Sequence, residues 1–287
     1  MVQKCMMSDF VFKNDSSIAP IPFDDEIVEE YSTKKHLKIG FLKYEGTFYP
    51  CKSAIAAMDK SIKLLKEAGH ELIELDHEKF SKIQIALAKV LLGNDGQAED
   101  CLNGEAIVDQ YGLAALPEMI PKFIKPFLSK VLNLIGLKRE GLILQHVGNS
   151  DMLTYVEGCL EKQLLCEENM WYWKEKGLDC MIMPTTALPA IKLGHSKELI
   201  PMTTYSAFIN ALDYPSGNIP NVVKVTHEHL EEPYNDPKYP DDETVMKARE
   251  TLEGSAGLPM SIQVITMRGN EEKCLGIMKQ VDKIIHS

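Results

Sequence analysis

His227-Glu228-His229 sets two imidazoles around a carboxylate, residue types that ligate zinc. A zinc site needs a third protein ligand at helical or hairpin spacing, and none accompanies the pair. The motif sits in a Pro- and acid-rich segment, 227–242, which reads as a solvated acidic loop, so neither a metal nor another cofactor is expected. Nucleophile settings are equally sparse: there is no G-x-S-x-G elbow, no G-x-x-x-x-G-K-[ST] phosphate loop and no H-E-x-x-H. Two serines lie in glycine-bearing turns, Ser216 in Pro215-Ser216-Gly217-Asn218 and Ser255 in Gly254-Ser255-Ala256-Gly257-Leu258-Pro259. A serine nucleophile needs a base, and neither has one nearby in the chain. The simpler reading gives each glycine a positive φ and each serine a turn cap. His70, directly after Gly69, reads as a structural residue at a helix-to-strand junction.

The chain that must position these residues has 287 of them, 45% hydrophobic and 25% charged, which is ordinary globular composition. With 31 Lys+Arg against 42 Asp+Glu the net charge is −11, which argues against nucleic acid as a partner. Seven cysteines, odd in number and never spaced C-x-x-C, fit a reducing, intracellular compartment better than a disulfide framework. The start lacks the apolar core of a signal peptide. The uncharged stretches 180–191, 199–212 and 254–267 are shorter than the roughly 20 apolar residues a membrane span needs.

Local patterns give an α/β order. Residues 1–36 read as an irregular, Pro-bearing arm. Strands are predicted at 37–43 and 71–76 around a helix over 51–68 that stops at Gly69, a β-α-β unit with parallel strands. Helices follow between 78 and 176, then strands at 178–183, 218–226 and 258–267 and a closing amphipathic helix over 271–285. Ligands of such folds sit at the carboxyl ends of the strands.

The spacing Asn210-Ala-Leu-Asp213-Tyr-Pro215-Ser-Gly217-Asn-Ile-Pro220, then Gly257-Leu-Pro259-Met-Ser-Ile-Gln263, resembles the C-terminal core of the amidase signature family. Pro20-Ile-Pro22-Phe23, the stretch from Lys63 to His70, Leu178-Asp179 through Pro184, and Glu271 to Leu275 are similar to its branch that hydrolyses fatty acid amides. The resemblance runs from about residue 8 to 285. It implies part of a mixed-sheet α/β fold with helices on both faces, incomplete without an N-terminal half. Family members use a Ser–Ser–Lys catalytic set carried in a Gly-Gly-Ser-rich segment. This sequence has no Gly-Gly pair, and its only Ser-Ser is Ser16-Ser17. The expectation is therefore a C-terminal portion, carrying no catalytic residue and inactive by itself. The alternative is a catalytically silent lipid-binding or membrane-associated module.

The resemblance implies an acyl-chain pocket at Met202, Thr203, Tyr205, Ala207 and Phe208; a plain core helix over 202–212 is the competing reading. Thr244 falls where mammalian members carry a Trp near that channel. The implied partners are a lipid amide, a membrane surface and, in one arrangement, a second copy in a homodimer. The location follows as peripheral to an intracellular membrane or cytoplasmic. Within 117–139, Ile120, Phe123, Ile124, Phe127, Leu128, Val131 and Ile135 recur at three- and four-residue spacing, predicting an apolar helical stripe that faces a membrane. An ordinary amphipathic core helix has the same periodicity. Lys122, Lys125, Lys130, Lys138 and Arg139 would face headgroups, and Pro126 would break the stripe into two short helices.

Overall fold

The computed structural model describes residues 2–91, 103–106, 120–146, 152–240 and 242–287. The arm, expected to be irregular, carries three short helices, α1 (Val2–Met6), α2 (Asp9–Asn14) and α3 (Asp25–Thr33). Asp24 starts α3 by accepting a bond from the Glu26 N–H at 2.8 Å, and Asp25 and Glu26 complement the positive end of the helix. The chain continues through β1 (Lys38–Phe41), α4 (Lys52–Glu67), β2 (Glu71–Glu74) and α5 (Glu78–Leu91). Then come α6 (Lys125–Leu134), α7 (Lys138–His146), α8 (Met152–Lys176) and β3 (Cys180–Pro184). The last elements are α9 (Thr204–Leu212), β4 (Ser216–Lys224), α10 (Glu243–Leu252), β5 (Pro259–Ile265) and α11 (Glu271–His286).

Five strands form one mixed sheet in the order β2-β1-β3-β5-β4. β1 lies parallel to β2, as the β-α-β pattern predicts, and parallel to β3; β5 runs antiparallel to both β3 and β4. All five residues of β3 are buried, the signature of a strand covered on both faces. α4 turns Ala54, Ala57, Met58 and Leu65 into the core and ends at Gly69, whose φ of +92° only glycine adopts without strain. On the outer strand β4 the register shifts between Ile219 and Val223, where Pro220 and Asn221 (φ 54°) interrupt the ladder.

The arm is fastened to this sheet. Asp179, just before β3, accepts bonds from Lys34 Nζ at 2.8 Å and the Lys38 N–H at 3.0 Å, and pairs with Lys273 at 3.3 Å. Burial opposes its charge, but these donors prevail and hold its carboxyl below the ordinary value. α3 meets α11 at Gly276, where an added Cβ would lie 2.5 Å from the Val28 carbonyl oxygen.

Three further expectations change. Pro126 lies in the first turn of α6, where no N–H is missed, and the break before α7 comes instead at Gly136 with φ +92°. Segment 227–242 is far from fully solvated: Tyr234, Asp236, Tyr239 and Asp242 are buried. Gly217 has no positive φ; it makes room for the Met278 side chain, which an added Cβ would overlap. Gly254 and Gly257 do take positive φ, at 77° and 90°.

Candidate functional site

The parallel strands β1 and β3 end at Phe41 and Pro184, and the segments beyond those ends are tied together by buried polar groups. Glu45 is fully buried in the loop after β1. Its carboxylate accepts from the Phe48 N–H at 2.6 Å, the Thr47 N–H at 2.9 Å and Thr204 Oγ1 at 2.9 Å. Tyr205, the next residue of α9, donates its hydroxyl to the Phe48 carbonyl at 2.9 Å. Gln263 of β5 donates to the Pro184 and Tyr205 carbonyls at 3.1 and 3.0 Å. Loop, helix and two strand ends are thereby locked in one arrangement.

A second buried group lies alongside. Arg139 of α7 is 4% exposed and gives Nε to Asp242 Oδ2 at 2.6 Å, Nη2 to Asp236 Oδ2 at 3.2 Å and Nη1 to the Thr47 carbonyl at 3.2 Å. Its guanidinium lies 4.2 Å from the Tyr239 ring centroid and 5.5 Å from that of Phe48. Burial disfavours the charge, but the bond to Asp242 and the fields of Asp242 and Asp236 override it and raise the Arg139 pKa. The carboxylates do further work. Asp242 caps α10 through the Val245 N–H at 2.8 Å, and Asp236 holds the Tyr49 N–H at 3.3 Å and the Lys238 N–H at 2.9 Å. One guanidinium thus joins α7, the acidic loop, the start of α10 and the loop after β1.

Between these groups and α5 opens a cleft of ≈ 480 Å³ lined by Tyr44, Tyr49, His77, Lys82, Asp236 and Lys238, among others. Burial, reinforced by Asp236 and Glu45, pushes the Tyr44 phenol well above its ordinary pKa; burial does the same to Tyr205 and Tyr234. All three are hydroxyl donors at neutral pH and not bases. Burial likewise raises the thiols of Cys51, Cys166, Cys180 and Cys274, the last to about 11, so none offers a thiolate nucleophile. Ser216 is exposed at the start of β4, whereas Ser255 is 2% exposed with an unpartnered Oγ.

The residues predicted for an acyl pocket are spread over two environments. Tyr205 and Phe208 are buried, Phe208 meeting Phe80 edge-on at 5.7 Å, whereas Met202 and Ala207 are half-buried and Thr203 is exposed. Thr244 is buried in the first turn of α10, two residues past Asp242. Of the predicted membrane stripe, Phe123 (83% exposed), Ile124, Phe127 (70%) and Ile135 face outward with Leu134; Ile120, Leu128 and Val131 are half-buried. Residues 117–119 lie outside the described residues. Lys125 and Arg139, expected at headgroups, are buried. Glu45 and the Arg139 group escaped the sequence reading, although Arg is scarce here (139, 249 and 268 only) and Asp242 stands just before a helical pattern, as an N-cap does.

A mixed five-stranded sheet with helices packed on it, and a cleft past the ends of its parallel strands, define an α/β protein. The Amidase family profile matches residues 4–275, and the chain belongs to that family. It is 23% identical to fatty-acid amide hydrolase 1 of Sus scrofa over 291 residues, 98% of this chain and 48% of the relative. Fatty acid amide hydrolase 1 of Caenorhabditis elegans is 24% identical over 276 residues, 96% of this chain and 47% of the relative. Among solved structures a fatty acid amide hydrolase superposes with a TM-score of 0.64 at 17% identity, covering 99% of this chain and 45% of that one. A 6-aminohexanoate cyclic dimer hydrolase does so at 0.55 and 13% identity, covering 93% and 48%. The chain spans about half the length of the curated relatives it matches. At these identities the superpositions establish the fold; activity has to be argued from the site.

Proposed function

We propose that this chain is the cap-bearing, acyl-binding portion of a hydrolase acting on fatty acid amides at a membrane surface. It works there together with a Ser–Ser–Lys centre that its own sequence does not carry, and by itself turns over no amide. The turn before α9, with Met202 and Thr203, and Ala207 on α9 form the proposed acyl wall; Tyr205 and Phe208 lie buried on the same helix, and Thr244 of α10 completes the proposed set.

The observation that carries the reading is the exposed apolar patch on α6 and at its two ends. Lys125 and Ser129 are 5% and 3% exposed, while Phe123, Phe127, Leu134 and Ile135 are 83%, 70%, 86% and 65% exposed. Helical spacing puts Phe127 and Leu134 on the side of α6 away from Lys125 and Ser129, with Phe123 just before the helix and Ile135 just after it. Lys130 and Asn133 of α6 are exposed and Leu128, Val131 and Leu132 half-buried, yet Phe123, Phe127, Leu134 and Ile135 leave a large apolar patch outside, which suits an apolar environment beyond the protein. Among the described residues no helix is long and apolar enough to cross a membrane, which fits a cap that rests on the bilayer.

Phe123→Glu/Phe127→Glu is the direct test. Both side chains are mostly exposed, so the variant keeps its thermal transition, and its co-sedimentation with anionic liposomes falls severalfold. A variant that binds liposomes like the parent defeats the cap reading. A serine-directed fluorophosphonate should leave the chain unlabelled; stoichiometric labelling of Ser216 or Ser255 would overturn the claim that the catalytic serine lies elsewhere.

A further inference from the structure

We propose that the outward face of α8 is a second lipid-contact surface, set on the bilayer beside the α6 patch. The inference rests on the cap reading for its choice of partner and names a surface that reading does not use. Leu153, Val156, Leu160, Leu164 and Trp171 are 68%, 52%, 56%, 56% and 63% exposed. At about 3.6 residues per turn they share one side of α8, opposite the buried Gly158, Asn169 and Trp173. Trp173 belongs to the core, Leu165, Cys166 and Tyr172 pack against it, and Asn169 donates to the Lys79 carbonyl of α5 at 3.3 Å. α8 is therefore apolar on its inner side and apolar again on its outer one. A helix apolar all round is one that is covered all round. Glu167 interrupts the outer line before Trp171, so the contact is assigned to the first four residues, over about 16 Å of helix.

Two observations choose lipid as the occupant. Lys122 Nζ donates to Thr154 Oγ1 at 3.1 Å, which ties the residue before Phe123 to the residue after Leu153. The α6 patch and the start of the α8 line thus lie within a lysine's reach of each other, with the exposed Lys122, Lys130 and Lys138 on the α6–α7 side. Apolar side chains bordered by lysines suit the headgroup region of a bilayer. Charge argues against a second copy of the chain. An antiparallel α8 matched along the full line, Leu153 against Trp171, would set the exposed Glu157 against the exposed Glu167, and a parallel one would set each acid against itself. A bilayer imposes no such register.

Co-sedimentation of the full chain with vesicles of phosphatidylcholine and phosphatidylserine, in a ratio of about 4:1, tests the assignment. Leu153→Glu/Leu160→Glu should lower partition about tenfold, and Leu160→Trp should raise it severalfold. In a Trp171→Phe background, the emission of Leu160→Trp should be quenched by dibrominated phosphatidylcholine. Thermal midpoints are recorded for every variant; if the Glu pair lowers its own, the two Leu160→Trp readouts decide. An α8 pair that binds like the parent while Phe123→Glu/Phe127→Glu loses binding overturns this inference and leaves the cap standing. The reverse result removes the cap and leaves the α8 contact. An indole at position 160 that the bromines do not quench, or a lipid-free dimer in sedimentation velocity that the α8 pair dissociates, would also overturn the assignment.

Discussion

Replacing Arg139 by Met keeps most of the side-chain volume and removes the charge that two buried carboxylates share. Asp236 and Asp242 are 0% and 2% exposed, so the variant leaves both ionised groups without a cation in a region that water does not reach. Removing one partner of a buried ion pair costs about 3–5 kcal/mol, most of it the desolvation of what remains. The structure argues for the lower part of that range, because Asp242 keeps the Val245 N–H and Asp236 keeps the Tyr49 and Lys238 N–H groups. Loss of the cation over Tyr239, at 4.2 Å, acts in the opposite direction. At about 2–4 °C per kcal/mol for a chain of this order, the midpoint should fall by roughly 10 °C. Circular dichroism melts of the parent, Arg139→Met and the triple variant Arg139→Met/Asp236→Asn/Asp242→Asn measure it. The triple variant should recover part of the loss, because it buries no unpaired charge. A single variant within 2 °C of the parent, or a triple variant no better than the single, would refute the reasoning.

Burial, with His36 nearby, holds His70 below the ordinary His value, and its Nδ1 accepts the Leu37 N–H at 3.2 Å, so it is needed neutral. A depressed folded pKa gives stability that is complete above the unfolded value of about 6.5 and is lost as pH falls below it. Midpoints measured from pH 7.5 to 5 should drop on the acid side, and His70→Asn should flatten that slope. Gly276→Ala brings a Cβ to 2.5 Å from the Val28 backbone oxygen, which moves only if α3 shifts. Limited proteolysis should then cut the arm before Lys34 several times faster than in the parent. Gly217→Ala meets a flexible Met278 instead and should cost less, about 1 kcal/mol by chemical denaturation, relieved by Met278→Ala.

What the sequence made legible was whatever rests on local pattern. The β-α-β unit emerged because α4 repeats apolar residues at helical spacing and stops at a glycine, and β3 because an uninterrupted apolar strand belongs in the middle of a sheet. The arm helices were missed for the opposite reason. α1 and α2 bury no residue and α3 buries only Val28, so periodicity had little to report. The glycines divided by cause. Gly69 follows from local backbone geometry, whereas Gly217 and Gly276 are fixed by neighbours about 60 and 250 residues away, which a local reading does not weigh.

The candidate site shows the same division more sharply. Composition made 227–242 a solvated loop, since Pro and acid predominate there, and that inference holds unless a distant cation takes the acids inside. Arg139 is that cation, about 100 residues upstream on α7, and it changes the meaning of both segments. The loop becomes a wall of the cleft, and the α6–α7 pair is anchored through its second helix. Phe127 on α6 and Phe123 just before it face outward, while Leu128, Val131 and Leu132 stay half-buried. Helical spacing at 120–135 is the same whether the stripe points into a core or away from it. Only the buried partner on the far side, Lys125 and Ser129 for α6 and Arg139 for α7, decides the direction. The bonds from Arg139 to Asp236 and Asp242 thus fix how α7 sits against the acidic loop, and a reading of 120–139 that weighs only its own periodicity misses the contact that orients it.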